Sequence, residues 1–205
     1  MSDKWLEWAK RIQSISQAGL TFTNDMYDRE RYEQLRTLSI EIMNEYTGVD
    51  FTSIRDLFAN ETGYQTPKAD VRGVIFKDNR ILMVREKHDD AWALPGGFCD
   101  IGESPRENVT KEIQEEAGFH VQPMKLLAIF DTNKHAHPPQ PYQYYKLCIQ
   151  CEIISGEASL GMETKGIDFF AEDNLPNLSL NRNTEIQIKR LFEFLRDPEK
   201  PALFD

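Results

Sequence analysis

Cysteine is scarce: Cys99, Cys148 and Cys151 are the only three in 205 residues, too few and too oddly counted for a disulfide framework. A reducing compartment, read as the cytoplasm, is expected. No run approaches the roughly 18 to 20 apolar residues a bilayer-spanning helix requires, so no membrane partner is expected. Positive charge is also short. The 24 basic against 34 acidic side chains leave a net charge of −10, which repels nucleic acid at long range and argues against stable nucleic-acid binding. The opening MSDKWLEWAKRIQ lacks the basic stretch, apolar core and cleavage site of a secretory signal, so export is not expected. No internal repeat is present. A hydrophobic share of 40% with 28% charged residues is that of a globular chain, long enough for one domain and a small second unit.

Two halves differ in period. Up to about residue 62 the pattern is helical, with Trp5, Leu6, Trp8, Ala9, Ile12 and Ile15 as one stripe and Leu35, Leu38 and Ile42 as another. Asn24 or Asp25 can cap the second helix, Gly48 sits where it would stop, and Thr52 or Ser53 can open a third running to about Asn60. A polar Gly and Pro stretch at 62–67 reads as a linker. Beyond it VRGVIF at 71–76, a turn at Asp78–Asn79 and ILMVRE at 81–86 predict a hairpin. Alternation over 142–154 predicts a strand with one buried face, which would set Cys148 and Cys151 on opposite sides and deprives their CxxC spacing of a function. GIDFF at 166–170 reads as extended, and a helix is expected from about Asn183 to Arg196, stopped by Pro198.

The chemistry concentrates in LPGGFCDIGESPRENVTKEIQEEAGF, residues 94–119. Ser104, Pro105 and Glu107 compose a helix start with a capping box, and Gly118 fits its end. At roughly 100° per residue, Glu112, Glu115 and Glu116 share one arc beside the core-facing Val109, Ile113 and Ala117. Three carboxylates so placed repel one another by about 0.2–0.5 kcal/mol per pair when solvated, and by more when partly buried. A hard divalent cation offsets that, whereas a plain solvated acidic face would leave the repulsion standing. Gly96 and Gly97 precede this helix, and glycine lets a backbone curl close to a phosphate or cation.

Taken together, Gly97, Glu103 and the run Lys111-Glu112-Ile113-Gln114-Glu115-Glu116-Ala117-Gly118-Phe119 resemble the Nudix box, G-x5-E-x7-R-E-U-x-E-E-x-G-U with U a bulky residue. Eight of nine defined positions match; the exception is Lys111, where the family usually has arginine. Lysine keeps the charge and loses the planar fork, so lower activity is expected, not a dead site. The resemblance covers residues 68 to about 196. It implies an α/β fold, a Nudix α/β/α sandwich with a mixed sheet, preceded by a small all-helical domain. The expected division is 1–65 for the helices, serving dimerisation and cover of the substrate site, and 66–205 for the hydrolase domain.

The resemblance further implies divalent-metal-dependent hydrolysis, with Mg²⁺ or Mn²⁺, of a nucleoside diphosphate linked to X. Because the leader resembles that of a bacterial subgroup, CDP-choline, giving CMP and phosphocholine, comes first and ADP-ribose, giving AMP and ribose 5-phosphate, second. A nucleotide-sensing regulatory module and an RNA-end phosphodiesterase are the competing classes. By the same resemblance Glu112, Glu115 and Glu116 hold the metal, Gly96, Gly97, Glu103, Lys111 and Gly118 shape the loop, and Glu163 is the candidate general base. Arg72 and Arg85 are candidate phosphate ligands; Trp92, Phe98, Tyr142 and Tyr144 are candidate base-stacking residues. A homodimer is expected.

Overall fold

The helical stripes of the leader fold as α1 (Lys4–Phe22), α2 (Met26–Thr47) and α3 (Phe51–Phe58) in a computed structural model that describes residues 4–47, 51–59 and 62–205. Asp25 caps α2: its Oδ1 accepts the N–H groups of Tyr27 and Asp28, both at 2.9 Å. The expected stop at Gly48 lies outside the described residues. Leu6, Ala9, Ile40, Met43, Ile54 and Ala59 form the core of this unit, which comprises Met1–Pro67 with Pro139–Tyr142. The inward stripe of α1 is more polar than expected, for Gln13, Ser16 and Gln17 are buried along it. Ser16 Oγ donates to the Tyr32 carbonyl at 2.5 Å and Gln17 Nε2 to the Gly63 carbonyl at 2.8 Å. Trp8 and Ile15, expected inside, are exposed together with Phe22. Seven-residue spacing sets these three in one row on the arc away from Leu6, Ala9 and Gln13.

The second unit, Lys68–Pro138 with Gln143–Asp205, contains two four-stranded sheets. One runs in the order β1 (Lys68–Val74), β6 (Tyr144–Gly156), β5 (Phe119–Asp131), β8 (Leu203–Phe204). It is mixed: β1 is parallel to β6, β5 antiparallel to β6, and β8 parallel to β5. In the other sheet β3 (Arg80–Glu86) pairs antiparallel with β7 (Thr164–Ala171), β2 (Phe76–Lys77) and β4 (Trp92–Ala93). Helix α4 (Pro105–Ala117) packs Val109, Ile113 and Ala117 into one core cluster, and α5 (Glu185–Arg196) packs Ile188, Leu191, Phe192 and Phe194 into another. The result is the α/β/α sandwich.

Several expectations are corrected. The first arm of the hairpin is only Phe76–Lys77, joined to β3 through Asp78 and Asn79 at φ of 51° and 58°, the tight turn that suits a two-residue hairpin. Val71–Val74 lie instead in β1, in the other sheet, where all four are buried, since Val-Arg-Gly-Val carries no alternation of apolar and polar residues to say which sheet it joins. β6 is buried on both faces: Cys148 belongs to the α5 cluster, Ile149 and Cys151 to the α4 cluster. The two cysteines do face opposite ways, and burial pushes both thiols up to about 12. β5 has no counterpart among the strands expected from the sequence, because Pro123 and three register shifts interrupt its alternation.

Candidate active site

Local sequence builds α4 as expected. Ser104 Oγ accepts the Glu107 N–H at 3.3 Å while the Glu107 carboxylate accepts the Ser104 N–H at 2.7 Å. Gly118, at φ 77°, closes the helix by donating its N–H to the Gln114 carbonyl at 3.0 Å. With Val109, Ile113 and Ala117 fully buried, Glu112 and Glu116 are drawn to the rim half-buried, and Glu115 stays exposed.

The glycine loop is sewn down on both sides. β1 holds it through Val71 N–H to the Gly97 carbonyl at 2.9 Å and Gly73 N–H to the Pro95 carbonyl at 2.8 Å. Gly96 donates its N–H to Glu116 Oε2 at 2.8 Å, tying loop to helix. Gly96 has φ of 141°, and a Cβ there would run into the Val71 carbonyl oxygen; a Cβ on Gly97 would stand 2.9 Å from Glu112 Oε2. The segment before β7 is fastened to the same helix end. Thr164 Oγ1 donates to the Glu116 carbonyl and accepts the Gly161 N–H, both at 2.9 Å.

These ties bring Gly96, Gly97, Phe98, Glu112, Glu115, Glu116 and Glu163 to the lining of one cavity of about 780 Å³, together with Asp100, Leu160, Gly161, Met162 and Arg182. Burial pushes the Glu116 carboxyl up to about 7; Glu112 and Glu86 push the same way, and Arg72 and the Gly96 N–H oppose. Burial raises Glu112 too. Both shifts have one physical cause, carboxylates drawn from water without enough positive charge beside them. Among the described residues no three His, Cys, Asp or Glu side chains close into a ready cage. The donors form an open, oxygen-only set instead, which fits Mg²⁺, an ion that takes one or two carboxylates and fills its remaining positions with water and substrate phosphate.

Lys111 reaches the loop: its Nζ donates to Asp100 Oδ2 at 2.7 Å and lies 3.9 Å from Glu103 Oε1. Gly118 and Glu103 thus frame the site without lining it. The weaker candidates scatter. Arg72, a candidate phosphate ligand, is instead buried. Its Nε and Nη2 each donate to Asp70 at 2.8 Å and its Nη1 to the Leu94 carbonyl at 3.1 Å, with Lys146 Nζ 3.4 Å from the same Asp70. Arg85 pairs with Asp90 at 2.8 Å. Trp92 packs against the α5 core cluster and meets Phe170 edge to face at 4.7 Å, so it supports the sheet and is not a stacking surface. Phe98 reaches the cavity and stacks on Tyr144 at 5.4 Å and 19°. Tyr142 falls in the Pro139–Tyr142 segment that groups with the helices. Sequence reasoning missed Arg182 and Asp100: Arg182 stands in an irregular polar segment, where no period marks a direction.

Fold and loop–helix pair together define a hydrolase of phosphorus-containing anhydrides. Residues 66–186 match the NUDIX domain and residues 3–58 match the UDP-X-like, N-terminal oligomerisation domain, so the chain belongs to the Nudix hydrolase family. It is 57% identical to a putative ADP-ribose pyrophosphatase of Bacillus subtilis, over 98% of this chain and 97% of the relative. The crystal structure of a UDP-X diphosphatase matches 99% of this chain and 98% of its own at 39% identity, with a TM-score of 0.65. An ADP-ribose pyrophosphatase from Streptococcus suis matches 68% of this chain and 100% of its own, at 39% identity and a TM-score of 0.62.

Proposed function

We propose that this chain hydrolyses the pyrophosphate of a nucleoside diphosphate linked to X, releasing a nucleoside monophosphate and phosphorylated X, with Mg²⁺ or Mn²⁺ as cofactor. The observation that carries the reading is the meeting of Glu112, Glu116 and Glu163 with the Gly96–Gly97 loop in a cavity of about 780 Å³, ample for such a molecule. ADP-ribose precedes CDP-choline here, because the relative at 57% identity over nearly the whole chain is named for ADP-ribose. CDP-choline rests on the helical leader alone, and that leader matches a UDP-X-like domain, which brings UDP-linked compounds into the same test.

In this proposal Glu112 and Glu116 hold the cation and Glu115 orients the cluster. When bound, the cation stabilises charge on the phosphoryl oxygens and activates the attacking water. Glu163, fixed next to α4 by Thr164, accepts the proton of that water. Gly96 and Gly97 keep the loop close, Lys111 anchors it through Asp100, and Phe98 backed by Tyr144 offers a face for the base. The exposed row Trp8, Ile15 and Phe22 is proposed as part of a surface that pairs two copies. The three free cysteines accord with the cytoplasm.

The test is incubation of the purified protein with Mg²⁺ and ADP-ribose, CDP-choline, UDP-linked sugars, dinucleoside polyphosphates and short RNA, with products identified by mass. AMP with ribose 5-phosphate is expected as the dominant pair, and chelation of the metal is expected to stop the reaction. Turnover of none of these compounds would sink the proposal.

A further inference from the structure

Resting on the function proposed above, we infer that Arg182 is the residue that grips the substrate's diphosphate, and that Glu86 is the positioning residue that aims it. Charge sets the requirement. Five carboxylates, Asp100, Glu112, Glu115, Glu116 and Glu163, line the cavity, and Arg182 is the one Lys or Arg among the described residues of that lining. A divalent cation offsets the α4 glutamates, but it leaves the second phosphate of a diphosphate facing an acidic wall unless a side chain receives it. Neighbouring cations are already committed: Arg72 is buried on Asp70 and the Leu94 carbonyl, Lys111 is anchored to Asp100, and Lys87 Nζ donates to the Met162 carbonyl at 2.8 Å.

Arg182 is held but not used up. Its Nε sits 3.0 Å from Glu86 Oε1 and 3.2 Å from Oε2, whereas neither Nη nitrogen makes a hydrogen bond among the described residues. Glu86 is buried at the end of β3, so it fixes the stem of the guanidinium and leaves the outer fork open, the geometry that suits phosphate oxygens. The backbone beneath is hydrogen-bonded to the strand that leads into the glycine loop. Trp92 N–H donates to the Asn177 carbonyl and Ser179 N–H to the Trp92 carbonyl, each at 2.9 Å, and Asn183 Oδ1 accepts the Leu94 N–H at 2.8 Å. The strand that leads into Pro95, Gly96 and Gly97 therefore carries Arg182 on its flank, and hydrogen bonds link that segment, the glycine loop and α4.

The test compares the full-length protein with Arg182→Ala, Arg182→Lys and Glu86→Gln on whichever compound of the panel the wild type turns over. Arg182→Ala is expected to raise KM about tenfold or more, with kcat falling less and the thermal midpoint lowered because Glu86 loses its partner, and Arg182→Lys to recover part of the KM loss. Glu86→Gln is expected to raise KM by a smaller factor. A wild-type KM in Arg182→Ala, or a loss confined to kcat and thermal midpoint, would overturn the role of Arg182; a wild-type KM in Glu86→Gln would overturn that of Glu86. Wild-type turnover of nothing would sink the proposed function, and calorimetric binding of ADP with Mg²⁺ then decides this inference separately. ADP bound by the wild type and about tenfold more weakly by Arg182→Ala would sustain it. Equal binding, or binding to neither, would end it.

Discussion

Glu116 serves the site in two ways that one substitution separates. Its carboxylate accepts the Gly96 N–H, which fixes the loop, and it carries a charge, which the proposed cation requires. Glu116→Gln keeps an acceptor oxygen for Gly96 and removes the charge. Turnover is expected to fall by at least about a hundredfold while the far-UV circular dichroism stays as in the wild type; an unchanged kcat would sink the metal assignment. Asp70 shows the opposite balance, a charge whose task is structural. It stands between Arg72 and Lys146, and its carboxyl is held below the usual range by both cations despite burial. Asp70→Asn leaves two buried cations unpaired, and urea unfolding is expected to show a loss of about 3–5 kcal/mol. Lys146 adds a pH signature. Burial holds its ammonium down to about 8, outweighing the attraction of Asp70, whereas an unfolded lysine titrates near 10.4. Between those values the unfolded chain binds more protons, so this group makes stability rise with pH from about 8 to 10. Unfolding midpoints at both ends of the window should show that rise in the wild type and a smaller one in Lys146→Met.

At the scale of elements, α4 is legible in the sequence alone, because what forms it is local. Ser104, Pro105, Glu107 and Gly118 act within a few residues of where they stand, and all four take the places their types predict. Ser104→Ala is expected to cost about 1 kcal/mol in the same unfolding assay. Gly97 tests the loop against the helix: Gly97→Ala sets a methyl 2.9 Å from Glu112 Oε2, so activity should fall markedly while the unfolding midpoint moves little. Strands are less legible. The split of VRGVIF between two sheets, and β5 with its Pro123 and register shifts, depend on partners far along the chain, and their apolar runs carry no period that names those partners. The polar interior of α1 escapes the sequence for a related reason. Ser16 and Gln17 donate to carbonyls of other segments and Gln13 accepts the Ser39 hydroxyl, partners that helical period cannot reveal.

At the scale of the molecule, the row Trp8, Ile15 and Phe22 predicts association. Sedimentation equilibrium is expected to give twice the chain mass, and Trp8→Glu, which replaces an exposed apolar contact with a charge, is expected to shift the population toward the monomer. A monomeric wild type would remove the dimer from the proposal. By itself the sequence determined the glycine loop, the capped acidic helix, the helical leader and the family, since each is written in short spacings whose physics is local. Tertiary structure alone decided the rest. Glu163 shares a cavity lining with Glu112 and Glu116, and Thr164 bonds back to the end of α4 across 48 residues beside it. Arg72 is withdrawn from solvent because β1 lies beside β6, and Arg182 reaches the cavity because the 177–183 segment is laced to β4. Which charges are spent and which stay free depends on those long-range pairings, which no local spacing encodes.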